Sequence, residues 1–429
     1  MKIQQLELQN FRCFEHKVFE FSDQFNVIIG DNGTGKTSFC DALRLIIGVL
    51  IYHLPEIREN TSHNKSIIQN SDIRQVRNQT IELKFPVTLF CKSIINDVQI
   101  EWSTAYINSR INPRSQSPNI LQYADSLREK VNNSQNVNLP LVAYYGTGRL
   151  WIDQQDDQKL EDMRNSPTRQ SRFWGYTECF DPRSSLILNW FRFEIIFGEG
   201  SVITHPAILN ALSACQIDNW IDLKYDDRED NLVVRSLDGN SQIFNKLSDG
   251  VRNMVGMVAD IAYRAAVLNP QLGSEAARLT PGIVLIDEID LHLHPKWQRR
   301  VVEDLKRTFP KIQFFATTHS PLIIQSLREG ELIDLNNPDL IPAAEYENKY
   351  QEYITEYIMH TPNTNRNERY EQMMKTAERY YQMLENANNY SSEELENLKS
   401  QLDELIEPYS NDIAYHAFLK MKRLAKLGE

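Results

Sequence analysis

The sequence predicts an α/β fold: a sheet carrying a glycine loop, an antiparallel β layer beside it, an inserted helical lobe and an α-helical C-terminal region. Three observations lead there. The apolar run 25–29 enters a glycine cluster and is followed by FCDALRLIIGVL, whose apolar residues recur at helical spacing. Residues 283–287, 295–307 and 312–316 read as strand, helix and strand, and such alternation is the mark of a layered α/β sheet. After residue 337 the chain turns rich in Glu, Asn, Tyr and Lys, with apolar residues at three- and four-residue steps.

Taken in order, residues 3–9 roughly alternate, and 18–21 and 25–29 read as further strands. Residues 79–107 read as a hairpin, ELKFPVTLF and DVQIEWSTAYI, with the polar CKSIIN between them. Segment 108–245 mixes a polar stretch, the strand-like LPLVAYYGT and an aromatic helix around LILNWFRF, and is taken as an inserted lobe. A helix is expected over 249–268 and a small loop over 269–281. Tyr370, Met373, Ala377, Tyr380 and Leu384 give an amphipathic helix. Ser391 and Glu394 make a capping box ahead of Leu395, Leu398, Leu402 and Leu405, and Ala414, Phe418, Met421 and Leu424 mark a last helix. The expected divisions are 1–107, 108–245, 246–336 and 337–429.

Composition narrows the function classes. No apolar run reaches the roughly 18 to 20 residues that cross a bilayer, and the opening residues lack the long apolar core of a secretory signal, so a cytoplasmic chain without a membrane partner is expected. The five cysteines are scattered without a C-x-x-C pair, which argues against a disulfide framework or zinc site and for reduced core thiols. A net charge of −12 excludes a surface that is basic throughout, so any DNA or RNA contact must be local.

The chemistry-bearing residues begin with Gly30-Asp31-Asn32-Gly33-Thr34-Gly35-Lys36-Thr37, which matches G-x-x-x-x-G-K-[ST] between a strand and a helix. Such a loop turns successive N–H groups toward phosphate oxygens, with Lys36 on the outer phosphates and Thr37 a ligand for Mg²⁺. The run IVLIDE delivers Asp287 and Glu288 to the end of a buried strand. Asp287 is the candidate Mg²⁺ carboxylate and Glu288 the candidate base for the attacking water. Leu247-Ser248-Asp249-Gly250 opens a helix whose N-terminus offers donors to an anion, although a plain Ser cap would also explain it. His319 follows another apolar strand, where an imidazole can sense a terminal phosphate.

The order of these motifs resembles the ABC-type ATPases, in the SMC, RecF and OLD-like branch, whose chains also open with a strand, Asn10-Phe11-Arg12 and a G-x-N-G-x-G-K-[ST] loop. The resemblance covers about residues 1–55 and 245–335. It implies an ABC-type ATPase head that binds ATP and Mg²⁺, with Arg12 and Ser38 at the nucleotide. Ser248, Asp249 and Gly250 would complete the site of a second protomer, Asp290 would lie in the loop crossing the dimer seam, and His319 would be the switch histidine. The resemblance assigns no Q-loop glutamine here, and the step from Gly250 to Asp287 is longer than in transporter motors. A narrower resemblance, carried by YYGTGR at 144–149, the block 280–282 before IVLIDEIDLHLHP, and SNDIAYHAFLKMKRL, is to the PtuA-like ATPases of Septu and retron anti-phage systems. It implies a homodimer or larger homo-oligomer with a separate nuclease subunit, HNH-type among the options. The rivals are a RecF-like repair ATPase that binds DNA itself, a transporter motor domain, which the long C-terminal helices and the spacing disfavour, and a scaffold that holds ATP without turnover.

Other features have plainer accounts. His292 and His294 with Asp290 are too few for a zinc site. Lys296, Arg299 and Arg300 read as a solvated helix face, and the C-terminal cations as helix-end charges. Arg164, Arg169 and Arg172 near Trp174 and Tyr176 could stack on bases, but a disordered loop is the expectation. No second catalytic centre is legible.

Overall fold

The computed structural model describes residues 1–54, 68–77, 81–107, 114–115, 118–150, 171–181, 190, 201–216, 220–226, 228–229, 231–336, 354, 358–359, 376, 379–380, 383 and 392–406. Two compact units divide the chain, Met1–Met359 and His360–Glu429.

The strands of the first unit are β1 (Lys2–Phe11), β2 (Phe14–Glu20), β3 (Phe25–Ile29), β4 (Gln75–Arg77), β5 (Ile81–Leu83), β6 (Val87–Ile95), β7 (Val98–Tyr106) and β8 (Arg114–Ser115). They continue with β9 (Leu141–Tyr145), β10 (Trp220–Asp226), β11 (Asn231–Ser236), β12 (Ser241–Ile243), β13 (Gly282–Ile286), β14 (Ile312–Thr317) and β15 (Leu332–Asp334). The central sheet has the order β15-β3-β14-β13-β9 and every pair in it is parallel. FNVII, LVAYY, GIVLI and IQFFAT are buried along their whole lengths. Such unbroken apolar runs are what a sheet covered on both faces selects. Because all five strands point one way, β3, β9, β13 and β14 end on the same edge, and the loops that follow them are neighbours.

The antiparallel layer, in the order β2-β1-β6-β7-β8, is the expected second sheet of an ABC-type head. Gln313, buried in β14, joins the two sheets: its Oε1 accepts from the Ile3 N–H at 2.7 Å and its Nε2 donates to the carbonyls of Ile3 and Ser22 at 2.8 Å each. A third small sheet, β10-β11-β12, follows the helix Ser201–Cys215. The helix Asp249–Leu268 is almost wholly buried. In the second unit, the longest described stretch is the helix Ser392–Ile406, in which Leu402 is buried. No described helix is long and apolar enough to cross a membrane.

Several expectations change. CKSII belongs to β6, whose alternate residues are buried, and the hairpin turns at Asn96-Asp97, both at positive φ as a two-residue primed turn requires. Residues 81–83 pair with β4 instead of with β7. The expected helix 295–307 is two pieces, Pro295–Gln298 and Val301–Thr308, because Arg300 leaves helical geometry to start the second. The expected loop 269–281 holds the helical turns Pro270–Glu275 and Ala276–Leu279. Arg172–Tyr176 is a packed 3₁₀ turn, not a disordered loop: Arg172 donates to the Leu268 carbonyl at 2.7 Å and Tyr176 to the Pro140 carbonyl at 2.7 Å. Four cysteines are buried and free as expected, but Cys13 is exposed. Arg164, Arg169, Ser391, the expected helix around 186–193 apart from Trp190, most of the helix at 370–384 and the last helix at 414–424 lie outside the described residues.

Candidate nucleotide site

The glycine loop spans the end of β3 and the start of the helix Lys36–Ile51. Gly35 sits at φ 108° at the head of that helix, and a Cβ there would lie 2.5 Å from Cys13 Sγ and 2.9 Å from the Phe14 ring. Only glycine lets β1 and β2 approach the loop so closely. Gly30 and Gly33 are also at positive φ, while Asp31, Asn32, Gly33 and Thr37 are exposed and Ser38 is half-buried. Thr34 Oγ1 donates to the Asp31 carbonyl at 2.9 Å. Lys36 Nζ donates to the carbonyls of Gly30 at 2.7 Å and Asp31 at 3.0 Å. Partial burial lowers the Lys36 pKa, while Asp287, Asp31 and Glu288 pull it back up. The loop lysine thus lies in the field of both β13 carboxylates.

Arg12, also at positive φ, is held by two acids: Nη1 meets Asp41 Oδ2 at 2.7 Å and Nε meets Asp72 Oδ1 at 2.9 Å. Its guanidinium is therefore anchored beside the helix that follows the loop.

Thr317, the last residue of β14, organises the acidic turn. Its Oγ1 donates to Asp287 Oδ1 at 2.5 Å and accepts from the Glu288 N–H at 2.8 Å. The Asp287 N–H donates to the Tyr145 carbonyl at 2.8 Å, which ties the turn to β9 on its other side. Glu288 sits at φ 50°, a left-handed backbone that a non-glycine residue adopts at a cost of about 1–3 kcal/mol. Asp290 Oδ1 accepts from Thr318 Oγ1 at 2.5 Å and from the His319 N–H at 3.4 Å. His319 itself is exposed beyond that contact.

Ser248 caps the helix Asp249–Leu268 in position but not in bonding, since its side chain makes no cap hydrogen bond. Ser248 and Asp249 are exposed, and Asp249 pairs with Arg252 at 2.6 Å. Gly250 is buried, and a Cβ there would lie 2.5 Å from the His292 carbonyl oxygen, which leaves no room for a side chain. The first turn of this helix therefore rests on the loop that follows Glu288.

Oxygen donors suited to Mg²⁺ are present. Asp287 Oδ2 accepts no hydrogen bond among the described residues, and Thr37 is exposed. One carboxylate and one hydroxyl, with phosphate oxygens and water for the rest, fit that ion's preference.

Sequence reasoning assigned no role to Thr317, Arg149 or Asn253. Arg149, 5% exposed, donates to the carbonyls of Gly146 at 2.9 Å, Asp287 at 2.6 Å and Glu288 at 2.8 Å, and to Asn253 Oδ1 at 2.7 Å. Its one sequence signal was membership of the YYGTGR run.

The edge gathers a phosphate-type loop after β3, paired acids after β13 and a threonine clamp from β14, the organisation of an ABC-type ATPase-like head. Protein-family comparison agrees: residues 5–187 match the family described as "AAA domain", and residues 218–325 match "AAA domain, putative AbiEii toxin, Type IV TA system". The chain is 26% identical over 396 residues to "Retron Vc95 probable ATPase" of Vibrio cholerae serotype O1 biovar El Tor, covering 79% of this chain and 74% of that one. It is 24% identical over 413 residues to "Retron Ec83 probable ATPase" of Escherichia coli, covering 79% and 72%. A shorter stretch of 86 residues is 46% identical to "Septu protein PtuA" of Bacillus mycoides, covering 20% of this chain and 11% of that one. The chain is thus similar to two retron ATPases over most of its length and to a Septu PtuA over a shorter stretch.

Proposed function

We propose that this chain binds ATP with Mg²⁺ on the Gly30–Ser38 loop, hydrolyses it in a head-to-tail homodimer, and uses the closed dimer to regulate a separate nuclease in bacterial anti-phage defence. The observation that carries the reading is the convergence of Lys36, Asp287 and Glu288 on one sheet edge, with Asp290 already bonded to the backbone of His319. In this reading Lys36 holds the outer phosphates, and the backbone of Asp31, Asn32, Gly33 and Thr34 lines them. Thr37 and Asp287 would hold Mg²⁺, whose charge, when bound, neutralises that developing on the phosphoryl oxygens. The Glu288 carboxylate orients a water for in-line attack and accepts its proton. His319 would contact the terminal phosphate, and Arg12 and Ser38 would border the nucleotide.

Ser248, Asp249 and Gly250 would serve the partner's nucleotide, with Asp290 at the seam, so each dimer would enclose two sites. ATP then shifts the population between open and closed heads. We assign 1–107, β9 with the turn after it, and 246–336 to the head, the rest of 108–245 to an inserted lobe and 337–429 to partner binding or oligomerisation. The similarity to retron and Septu ATPases supports the defence role. The test is affinity purification of the full chain from its native host, with mass spectrometry of what accompanies it. A stoichiometric nuclease subunit is expected. Recovery with recombination proteins and salt-sensitive DNA binding would instead favour a RecF-like repair ATPase.

A further inference from the structure

We propose that Arg149 is a positioning residue that fixes the backbone of the Asp287–Glu288 turn and couples it to the helix Asp249–Leu268 through Asn253. Its planar guanidinium meets four acceptors at once: the carbonyls of Gly146, Asp287 and Glu288, and Asn253 Oδ1. Asn253 completes the link, because its Nδ2 donates to the Leu291 carbonyl at 3.2 Å. One clamp therefore spans the end of β9, the acidic turn, the loop beyond it and the first turns of the helix that Ser248 opens.

Two features make this more than packing. Glu288 holds a left-handed backbone, and a strained residue persists only where its surroundings over-determine it. Arg149 bonds the carbonyls on the two sides of the Glu288 Cα, so it restrains the φ and ψ torsions that aim the Glu288 side chain. The guanidinium is also buried, only 5% exposed, so its charge depends on these acceptors being in place. Lysine cannot substitute, since a point ammonium with three donors does not reproduce a planar fork. A helix start that moves on dimer closure would be felt at Glu288 through Asn253. Hydrolysis would then depend on the position of Ser248 as well as on bound nucleotide.

This proposal rests on the hydrolysis reading, and its test separates the two. ATP affinity, steady-state turnover and amide hydrogen exchange are measured on the full chain and on Arg149→Lys, Arg149→Ala, Asn253→Ala and the Arg149→Ala/Asn253→Ala pair. Expected are ATP affinities within about 3-fold of the parent and kcat lowered on the order of 100-fold in Arg149→Ala. Arg149→Lys should fall about 10-fold and keep its fold, which carries the test if the alanine variant does not fold. The double variant should be little worse than Arg149→Ala alone, as for two groups in one network. Exchange should rise at 287–293 and stay unchanged at 30–37. A kcat within about 3-fold of the parent in Arg149→Lys, or loss of ATP affinity in step with kcat, overturns the proposal. If the parent itself does not turn over ATP, the hydrolysis reading fails, and unchanged exchange at 287–293 would independently defeat the clamp.

Discussion

The carboxyl edge of the parallel sheet and the start of the helix Asp249–Leu268 are built in opposite ways. At the sheet edge Asp287 and Asp290 are bonded within the chain, to Thr317 and Thr318, and the Glu288 turn is held by Thr317 and Arg149. At the helix start Ser248 and Asp249 face outward, and the Ser248 hydroxyl makes no hydrogen bond among the described residues. Yet Gly250, immediately after them, is locked against the His292 carbonyl. A preorganised acidic edge and a firmly placed helix terminus with an uncapped Ser248 are what the proposed site, shared between two protomers, would need. In that reading the bonded half would act on its own loop, and the exposed Ser248 would face another molecule.

Breaking the bonded half should have the largest effect. Glu288→Gln is expected to lower kcat by about 100- to 10,000-fold while ATP affinity is kept, read by phosphate release beside equilibrium nucleotide binding. Unchanged turnover would remove Glu288 from the catalytic role. Lys36→Ala should weaken ATP binding by about 100-fold, because a charged donor to the phosphates is lost. Binding at parental strength would show that nucleotide does not occupy the loop as described. Gly250→Ala tests the rigid placement of the open half. Helix propensity favours alanine, but the close carbonyl of His292 does not, and a net loss of about 1–2 kcal/mol is expected in denaturant unfolding. A stability gain would mean that the helix and the loop separate easily.

The same contrast explains what was legible in the sequence. Gly30–Thr37, Asp287–Glu288 and Ser248–Gly250 are contiguous, and contiguous chemistry is visible in one dimension. The buried run LVAYY was visible as a strand, but its place beside β13 was not, because a fully apolar run carries no periodicity that names its neighbour. Arg149 was invisible for the same reason: its acceptors on Asp287 and Glu288 lie 138 and 139 residues away. Thr317 reads as an ordinary β-branched strand residue until its hydroxyl is seen bridging the Asp287 carboxylate and the Glu288 backbone N–H. The hairpin was misjudged at CKSII because its polar residues were read as a turn, whereas their alternation with buried Cys91, Ser93 and Ile95 continues β6.

The composite site is tested most directly by mixing two variants that each damage a different half. Lys36→Ala spoils the loop of its own protomer, and Ser248→Arg blocks the exposed helix start. If each site joins one protomer's loop to the other's helix, both variants are inactive alone. In an equal mixture, half of the dimers pair one of each and carry one intact site, so activity returns to roughly a quarter of the parental value. A mixture that stays inactive while the parent hydrolyses ATP, or Ser248→Arg that is fully active alone, would contradict a shared site.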